Sequence, residues 1–290
     1  MVEDVICLGA STDTVSVVIR TFNSGKTLLR CLESLGLQDL KFLEIVVIDS
    51  GSTDETCEIA RGFGCNVIFY PIEEVPFNYS KSLNMAIART RGDHVLIISS
   101  HVWLVNRKGV RLMLAKLTGD VKVKAVSLYR SKEPESSGVV DPVGVLIDRS
   151  NFKGEGMYNY CSMIRKSDWS MRPFREDIPT CEDQEWIWYW LRTGNWSSYL
   201  FEYPLAGYNN PNYNLAKDVQ EMYICGKYVY PKYLSFGHLL NLYAMSIRFL
   251  LEKRIGKGRH YFLLASTLLR YKFIPPPSIQ SDSYLKSKGK

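Results

Sequence analysis

Ile45-Val46-Val47-Ile48-Asp49-Ser50-Gly51-Ser52-Thr53-Asp54-Glu55-Thr56 is the stretch on which the fold turns. Four apolar, mostly β-branched residues in a row read as a strand buried on both faces, as the interior strands of a parallel sheet are. The Ser/Gly/Thr run then breaks the strand, and Asp54 is placed to open a helix. A carboxylate, Asp49, is thereby delivered to the carboxyl end of a strand. In open α/β sheets ligands of the nucleotide type bind in the crevice beyond those ends.

Upstream, Val15 to Ile19 (VSVVI) repeats the pattern, and Arg20-Thr21-Phe22-Asn23-Ser24-Gly25 supplies turn chemistry. Ser24 is a candidate cap for a helix over Lys26 to Leu37, where Leu28, Leu32 and Leu35 recur at helical spacing. Strand, helix, strand, helix predicts two parallel strands side by side with a right-handed crossover between them. A third unit follows. Pro76 to Ala86 (PFNYSKSLNMA) predicts a helix starting at Ser80 that carries Lys81 and Asn84 three residues apart, and Arg91-Gly92-Asp93 leads into the apolar strand His94 to Ile98. Ser99-Ser100-His101 comes next.

Further along, Cys181-Glu182-Asp183-Gln184-Glu185-Trp186-Ile187-Trp188-Tyr189-Trp190 brings three carboxylates into the start of a helix with aromatics behind them. Helical spacing places Asp183, Trp186 or Ile187, and Trp190 on one face. A sugar acceptor calls for an aromatic platform and a carboxylate within reach of a hydroxyl proton. Acids near a helix N-terminus also stabilise its dipole, which accounts for one carboxylate more easily than three.

On these segments the chain resembles the inverting family 2 glycosyltransferases of the GT-A fold, whose nucleotide half opens with an apolar strand, a Thr-x-Asn turn (Thr21-Phe22-Asn23) and an Asp-x-x-Ser-x-Asp-x-Thr segment (Asp49 to Thr56). The resemblance implies an α/β fold: a Rossmann-like, mostly parallel sheet flanked by helices, over residues 1–211, with a basic helical extension over 212–290. It implies that Thr21, Asn23, Asp49 and Ser52 hold the base and ribose of a nucleotide-sugar, and that Lys81, Asn84, Ser99 and His101 lie by its diphosphate and sugar. It makes Asp183 the general base and Glu182, with Trp186 and Trp169, a border of the acceptor site. The implied reaction moves a sugar from a nucleoside-diphosphate donor to a hydroxyl of a glycan or lipid-linked acceptor, with inversion.

The departures from the family pattern are also informative. Most GT-A enzymes carry Asp-x-Asp after the fourth strand, because a hard divalent cation on two phosphates wants oxygen ligands. Ser99-Ser100-His101 stands there instead, as in a branch resembling bacterial rhamnosyltransferases of surface-sugar assembly. His101 is open to two readings: ligand to Mn²⁺, for which imidazole suits better than for Mg²⁺, or hydrogen-bond partner of the diphosphate or of a backbone carbonyl. The same branch often carries His-Ser-His-x-Tyr later in the chain; here that region reads Tyr208 to Leu215 (YNNPNYNL), without histidine, leaving Asn212 and Tyr213 as phosphate contacts.

Composition sets the outer bounds. The 290 residues suffice for one sizeable core, and seven cysteines without a C-x-x-C pair read as reduced thiols. The N-terminus lacks the basic start and apolar core of a secretory signal, so a cytoplasmic location is expected. From Arg248 to Lys290 ten Lys/Arg face only Glu252 and Asp282, interleaved with the apolar stretches Leu239 to Leu251 and Tyr261 to Leu269. That region reads equally as a peripheral contact with an anionic membrane and as helices packed on the domain. Nucleic acid is not expected, since no strand-borne aromatic platform accompanies the charge. A nucleotidyltransferase and a non-catalytic nucleotide-sugar or glycan-binding module are the alternative functions.

Overall fold

The computed structural model describes residues 13–131, 143–208, 215–274 and 276. Asn212, Tyr213, most of the Ser131 to Gly144 loop, the first twelve residues and nearly all of the basic tail beyond 274 lie outside the described residues, as does the predicted boundary at 211.

The nucleotide half runs β1 (Val15–Thr21), α1 (Gly25–Gly36), β2 (Glu44–Asp49), α2 (Thr56–Gly62), β3 (Asn66–Phe69), α3 (Tyr79–Arg89) and β4 (His94–Ser99). β1 pairs in parallel with β2 on one side and β4 on the other, and β3 follows β2. The strand order therefore reverses at β1, which opens a crevice beyond the ends of β1 and β4. Alternate residues serve opposite layers. Val17, Ile19, Leu96 and Ile98 pack with the helices on one face, α1 among them, and Val18, Val95 and Ile97 with the other.

The sheet then changes character: β5 (Val102–Leu104), α4 (Gly109–Gly119), β6 (Val123–Ser131), β7 (Gly144–Ile147), β8 (Cys161–Arg165), α5 (Lys166–Met171), α6 (Glu182–Thr193) and β9 (Ser197–Tyr208) complete it. β8 runs antiparallel between β4 and β6, β9 lies parallel to β6, and β5 and β7 both pair antiparallel with β9. The nucleotide half pairs in parallel throughout, and the rest of the sheet mixes parallel and antiparallel pairings. α7 (Leu215–Tyr228), a 3₁₀ turn (Pro231–Leu234), α8 (Phe236–Leu251) and α9 (Ile255–Phe273) close the described chain. Leu239, Leu242, Leu264 and Leu268 from the last two helices join the same apolar cluster as Leu83 of α3 and Trp186 of α6. The packed-helix reading of this region thus holds for its inner face.

Local details differ from the sequence expectations at the helix starts. α3 begins at Tyr79, capped by Asn78, whose side-chain oxygen accepts from the Lys81 amide at 2.8 Å; Ser80 lies inside the helix. α2 begins at Thr56, two residues past Asp54. Ser24 occupies the cap position of α1, yet its hydroxyl makes no cap bond and meets the Ser100 hydroxyl at 2.9 Å. Asp54 does the capping for both helices: one oxygen accepts from the Gly25 amide at 3.0 Å and the other from the Thr56 amide at 3.2 Å.

Candidate active site

One cavity of about 890 Å³ brings the two halves together. The turn after β1 (Arg20 to Ser24), Ser50 after β2, and Ser99, Ser100 and His101 after β4 line it from the nucleotide side. Glu182 and Asp183 line it from the start of α6. The Ser24–Ser100 hydroxyl contact stitches the β1 and β4 turns into one floor. Two lining residues that are not glycine hold positive φ, Asn23 at 46° and Cys181 at 62°. Asn tolerates that region, whereas Cys181 holds it at a cost of roughly 1–3 kcal/mol, of the kind found where a fold fixes a functional group.

The Glu-Asp motif divides its carboxylates among three tasks. Glu185 is buried and takes the Arg172 guanidinium on both oxygens at 2.8 Å, which ties α6 to the chain after α5. Glu182 accepts from Arg20 at 3.3 Å and from the Asn159 side chain at 3.2 Å, so the strand end of the nucleotide half grips the start of α6. Asp183 accepts from the amides of Asn159 (3.1 Å) and Gln184 (2.8 Å) and has no cation paired with it among the described residues. Burial, and next the charge of Glu182, raise its pKa to about 7.

Asp49 is the opposite case. It is 1% exposed, and every lobe of its carboxylate is engaged: the amides of Gly51 (3.0 Å) and Ser52 (2.8 Å) on one oxygen, the hydroxyls of Thr21 (2.8 Å) and Ser52 (2.5 Å) on the other. It shapes the turn that presents Ser50 and Thr21 to the cavity, and does not itself line it. Asn23 works similarly, accepting from the Thr53 amide at 2.8 Å while its own amide donates to Ser52 at the same distance.

Besides Asp49 and Ser52, four expected site residues fall outside the cavity lining. Trp186 is fully buried, donates to the Arg172 carbonyl at 2.6 Å and packs on Phe174 and Trp190, because one helical turn beyond Asp183 the same face already passes beneath the surface. Trp169 donates to Asn84 at 3.0 Å, and Asn84 spends its remaining valences on Phe174 and Glu176. These are packing and bracing positions. Lys81 also lies off the cavity. The aromatic wall comes from elsewhere: Phe77, Tyr79, Tyr158 and Tyr160, the last two stacked at 5.2 Å, with Phe249 and Tyr261 from the C-terminal helices.

Those helices also bring charge that the sequence reading did not assign. Lys217, Asp218 and Glu221 of α7, with Lys257 and His260 of α9, line the far wall, and His260 meets Asp218 at 2.7 Å. Burial pushes the Glu221 carboxyl up, against the pull of Lys217. The Lys257-x-x-His260 spacing, one helix face, was the available signal for this wall. Arg20, the one charge at the end of an otherwise uncharged strand, was the signal for the grip on Glu182.

The position of the family's Asp-x-Asp offers one imidazole and two hydroxyls, the Ser100 hydroxyl being engaged with Ser24. Among the described residues no three His, Cys, Asp or Glu side chains converge to hold an ion. The side chains here supply too few ligands to chelate Mn²⁺ or Mg²⁺ by themselves, and both readings of His101, ligand or hydrogen-bond partner, stand.

A strand-order reversal, a parallel nucleotide half and a Glu-Asp helix across a shared cavity define the GT-A class. Residues 16–142 match the family model described as glycosyl transferase family 2. Over that segment, 127 of the 290 residues, the chain is similar to the family 2 glycosyltransferases. It is 31% identical over 91 residues to glycosyltransferase GlyG of Streptococcus pneumoniae serotype 4, covering 31% of this chain and 30% of GlyG. It is also 31% identical over 83 residues to the O-antigen chain rhamnosyltransferase RfbN of Salmonella typhimurium, covering 29% of this chain and 26% of RfbN. The chain thus matches less than a third of the length of these curated relatives. The mannosyltransferase PcManGT of Pyrobaculum calidifontis, solved with GDP-Man and Mn²⁺, shares the fold over 94% of this chain and 78% of its own, with a TM-score of 0.57 at 15% identity.

Proposed function

We propose that this protein is an inverting glycosyltransferase that moves a sugar from a nucleoside-diphosphate donor to a hydroxyl of a glycan or lipid-linked acceptor in the cytoplasm, in surface-polysaccharide assembly. The observation that carries the reading is Asp183, a carboxylate with its pKa raised to about 7 on the wall of the cavity that the β1 and β4 turns also line.

The chemistry is one in-line displacement. The acceptor oxygen forms a bond to the anomeric carbon as the bond from that carbon to the diphosphate oxygen breaks, and the hydroxyl proton passes to Asp183. A base titrating near neutrality combines the unprotonated form with enough basicity to take that proton. The two amides on Asp183 fix the direction of its carboxylate, and Arg20 and Asn159 hold Glu182 beside it. Thr21, Asn23, Ser50 and Ser99 frame the donor from the strand ends, with Asp49 and Ser52 setting the turn that carries them. Leaving-group charge is met by the cationic side chains on the cavity wall, Lys26, Lys217 and His101 when protonated. No step is routed through a divalent ion, in keeping with the donor set at 99–101.

Two measurements test this. A thermal-shift panel of UDP, GDP, dTDP and CMP sugars, with and without Mn²⁺, identifies the donor base through ligand-linked stability. Turnover with the stabilising donor must then release the nucleoside diphosphate; release of pyrophosphate would assign the chain to nucleotidyl transfer instead. Chelation with EDTA is expected to leave most of the turnover, since residues 99–101 supply no carboxylate to an ion.

A further inference from the structure

The outer face of α8 carries an exposed apolar ridge, met at its Phe236 end by Phe273 and Lys272 of α9. Phe236, Leu240, Ala244, Ile247 and Leu251 are all exposed, Leu240 at 67% and Leu251 at 80%. Helical geometry puts the five within one arc of about 80° and strings them over about 22 Å. Leu239, Leu242 and Ser246 occupy the opposite, buried face, so the ridge is surplus to the core. Single exposed leucines are ordinary, but a ridge along a whole helix marks a contact surface.

Its surroundings say what the contact is. The last turn of α8, the turn into α9 and the first turns of that helix carry Arg248, Lys253, Arg254, Lys257 and Arg259 against a single acid, Glu252, which pairs with Arg248 at 2.9 Å and Arg254 at 3.6 Å. Lys253, Lys257 and Arg259 are exposed with no carboxylate partner among the described residues; the exposed Ile255 extends the apolar surface past Leu251, and the exposed Phe262 lies against Tyr243 beside the helix. An apolar strip flanked by cations matches an anionic lipid surface, into which the strip sinks while the cations meet headgroups. A second copy of the chain is a poorer occupant, because a two-fold contact through the ridge would set the same cations face to face. No helix among the described residues is long and apolar enough to cross a membrane, so the contact lies in the interface plane.

We infer that the α8 ridge and the basic α8–α9 turn dock this protein on an anionic membrane. Phe249, two residues from both Ile247 and Leu251, turns inward to line the cavity, and the exposed Lys257 lies on its rim. Docking therefore brings the C-terminal wall of the cavity to the level of the headgroups, where a lipid-linked acceptor carries its sugar. The acceptor statement rests on the transferase reading. The docking statement does not.

Co-sedimentation with vesicles tests it on the full chain. The protein should pellet with vesicles of phosphatidylcholine and phosphatidylglycerol in equal parts, stay in solution with phosphatidylcholine alone, and be released by added salt. The triple variant Leu240→Gln, Ile247→Gln, Leu251→Gln should lose at least about ten-fold in binding, with its melting temperature kept, since all three side chains face outward. Lys253→Glu with Arg259→Glu, which leaves the ridge intact, should abolish the preference for the anionic vesicles. Equal binding to both vesicle types, binding to neither, or conversion of a dimer to a monomer by the triple variant in light scattering would overturn the inference. Stabilisation by nucleoside diphosphates in all variants reports the donor site separately, so failure of docking and failure of the transferase reading are told apart.

Discussion

The turn at residues 49–56 and the helix start at residues 181–185 use the same materials to opposite ends. Each sets acids at the mouth of a helix beside one cavity. In the first, Asp49 and Asp54 spend their oxygens on amides and hydroxyls of the turn and on the starts of α1 and α2. In the second, Glu182 and Glu185 take the guanidinium groups, and Asp183 is left with two amides, a like-charged neighbour and a raised pKa. A saturated carboxylate is architecture. An acid whose charge the fold does not neutralise is the one we propose for chemistry, and the difference lies in the partners, not in the residue type.

The sharpest way to break this comparison is Asp183→Asn. Loss of a general base should lower kcat by roughly a hundred- to ten-thousand-fold, with donor binding in a thermal-shift assay unchanged. Wild-type kcat/KM should rise with pH and level off above about 7, as Asp183 becomes ionised. A variant that keeps wild-type turnover would place the base elsewhere.

Asp49→Ala should act on stability first. It strands two amides and two hydroxyls in a buried turn, and a loss of roughly 2–4 kcal/mol in urea unfolding is expected. If instead the variant folds as the wild type does and only donor affinity falls, Asp49 contacts the nucleotide directly, and the contrast with Asp183 is lost.

The parallel half of the fold was legible because both faces of its strands are buried: continuous β-branched runs such as VSVVI and IVVI leave few alternatives, and the β4 strand likewise fell where an apolar run stood. Asp183 was legible through its neighbours, three acids at one helix start being more than a dipole needs. What sequence could not give is depth. Trp186 and Asp183 share a helix face, yet one turn of rise carries the indole under Phe174 while the carboxylate stays at the cavity. Asn84 and Lys81 sit on a helix beside the site, but Asn84 is claimed by Trp169 and the backbone ninety residues away in sequence. The far wall of Lys217, Lys257 and His260 depended on α7 and α9 folding back over the cavity, a long-range contact that no local period announces.

Stability against pH sharpens the contrast further. Asp183 ionises near its ordinary 3.8 in the unfolded chain and near 7 in the fold. Between those values the native state holds the proton that the unfolded state has lost, so unfolding becomes easier as pH rises across that window, and the penalty is complete above 7. Asp183→Asn removes it. The variant should melt higher than the wild type at pH 8 and close to it at pH 4, the pattern of a site kept for function at a cost in stability.

The smallest effect belongs to Asp54, and it divides the two regions most finely. Its carboxyl is held below the usual range: burial acts to raise it, and the hydrogen bonds from Thr56 and from the Gly25 amide outweigh that. Because the folded value is depressed, the stabilisation is present above the unfolded pKa and is lost as pH falls through the folded one. Asp54→Ala uncaps α1 and α2 together and should cost about 1–2 kcal/mol at pH 7, less in acid. Asp54→Asn keeps an acceptor for one helix only and should fall between. If Asp54→Ala left the melting temperature unchanged yet reduced turnover as much as Asp183→Asn, the turn at 49–56 would be part of the chemistry rather than its frame, and saturation of hydrogen bonds would not be the property that separates the two acid clusters.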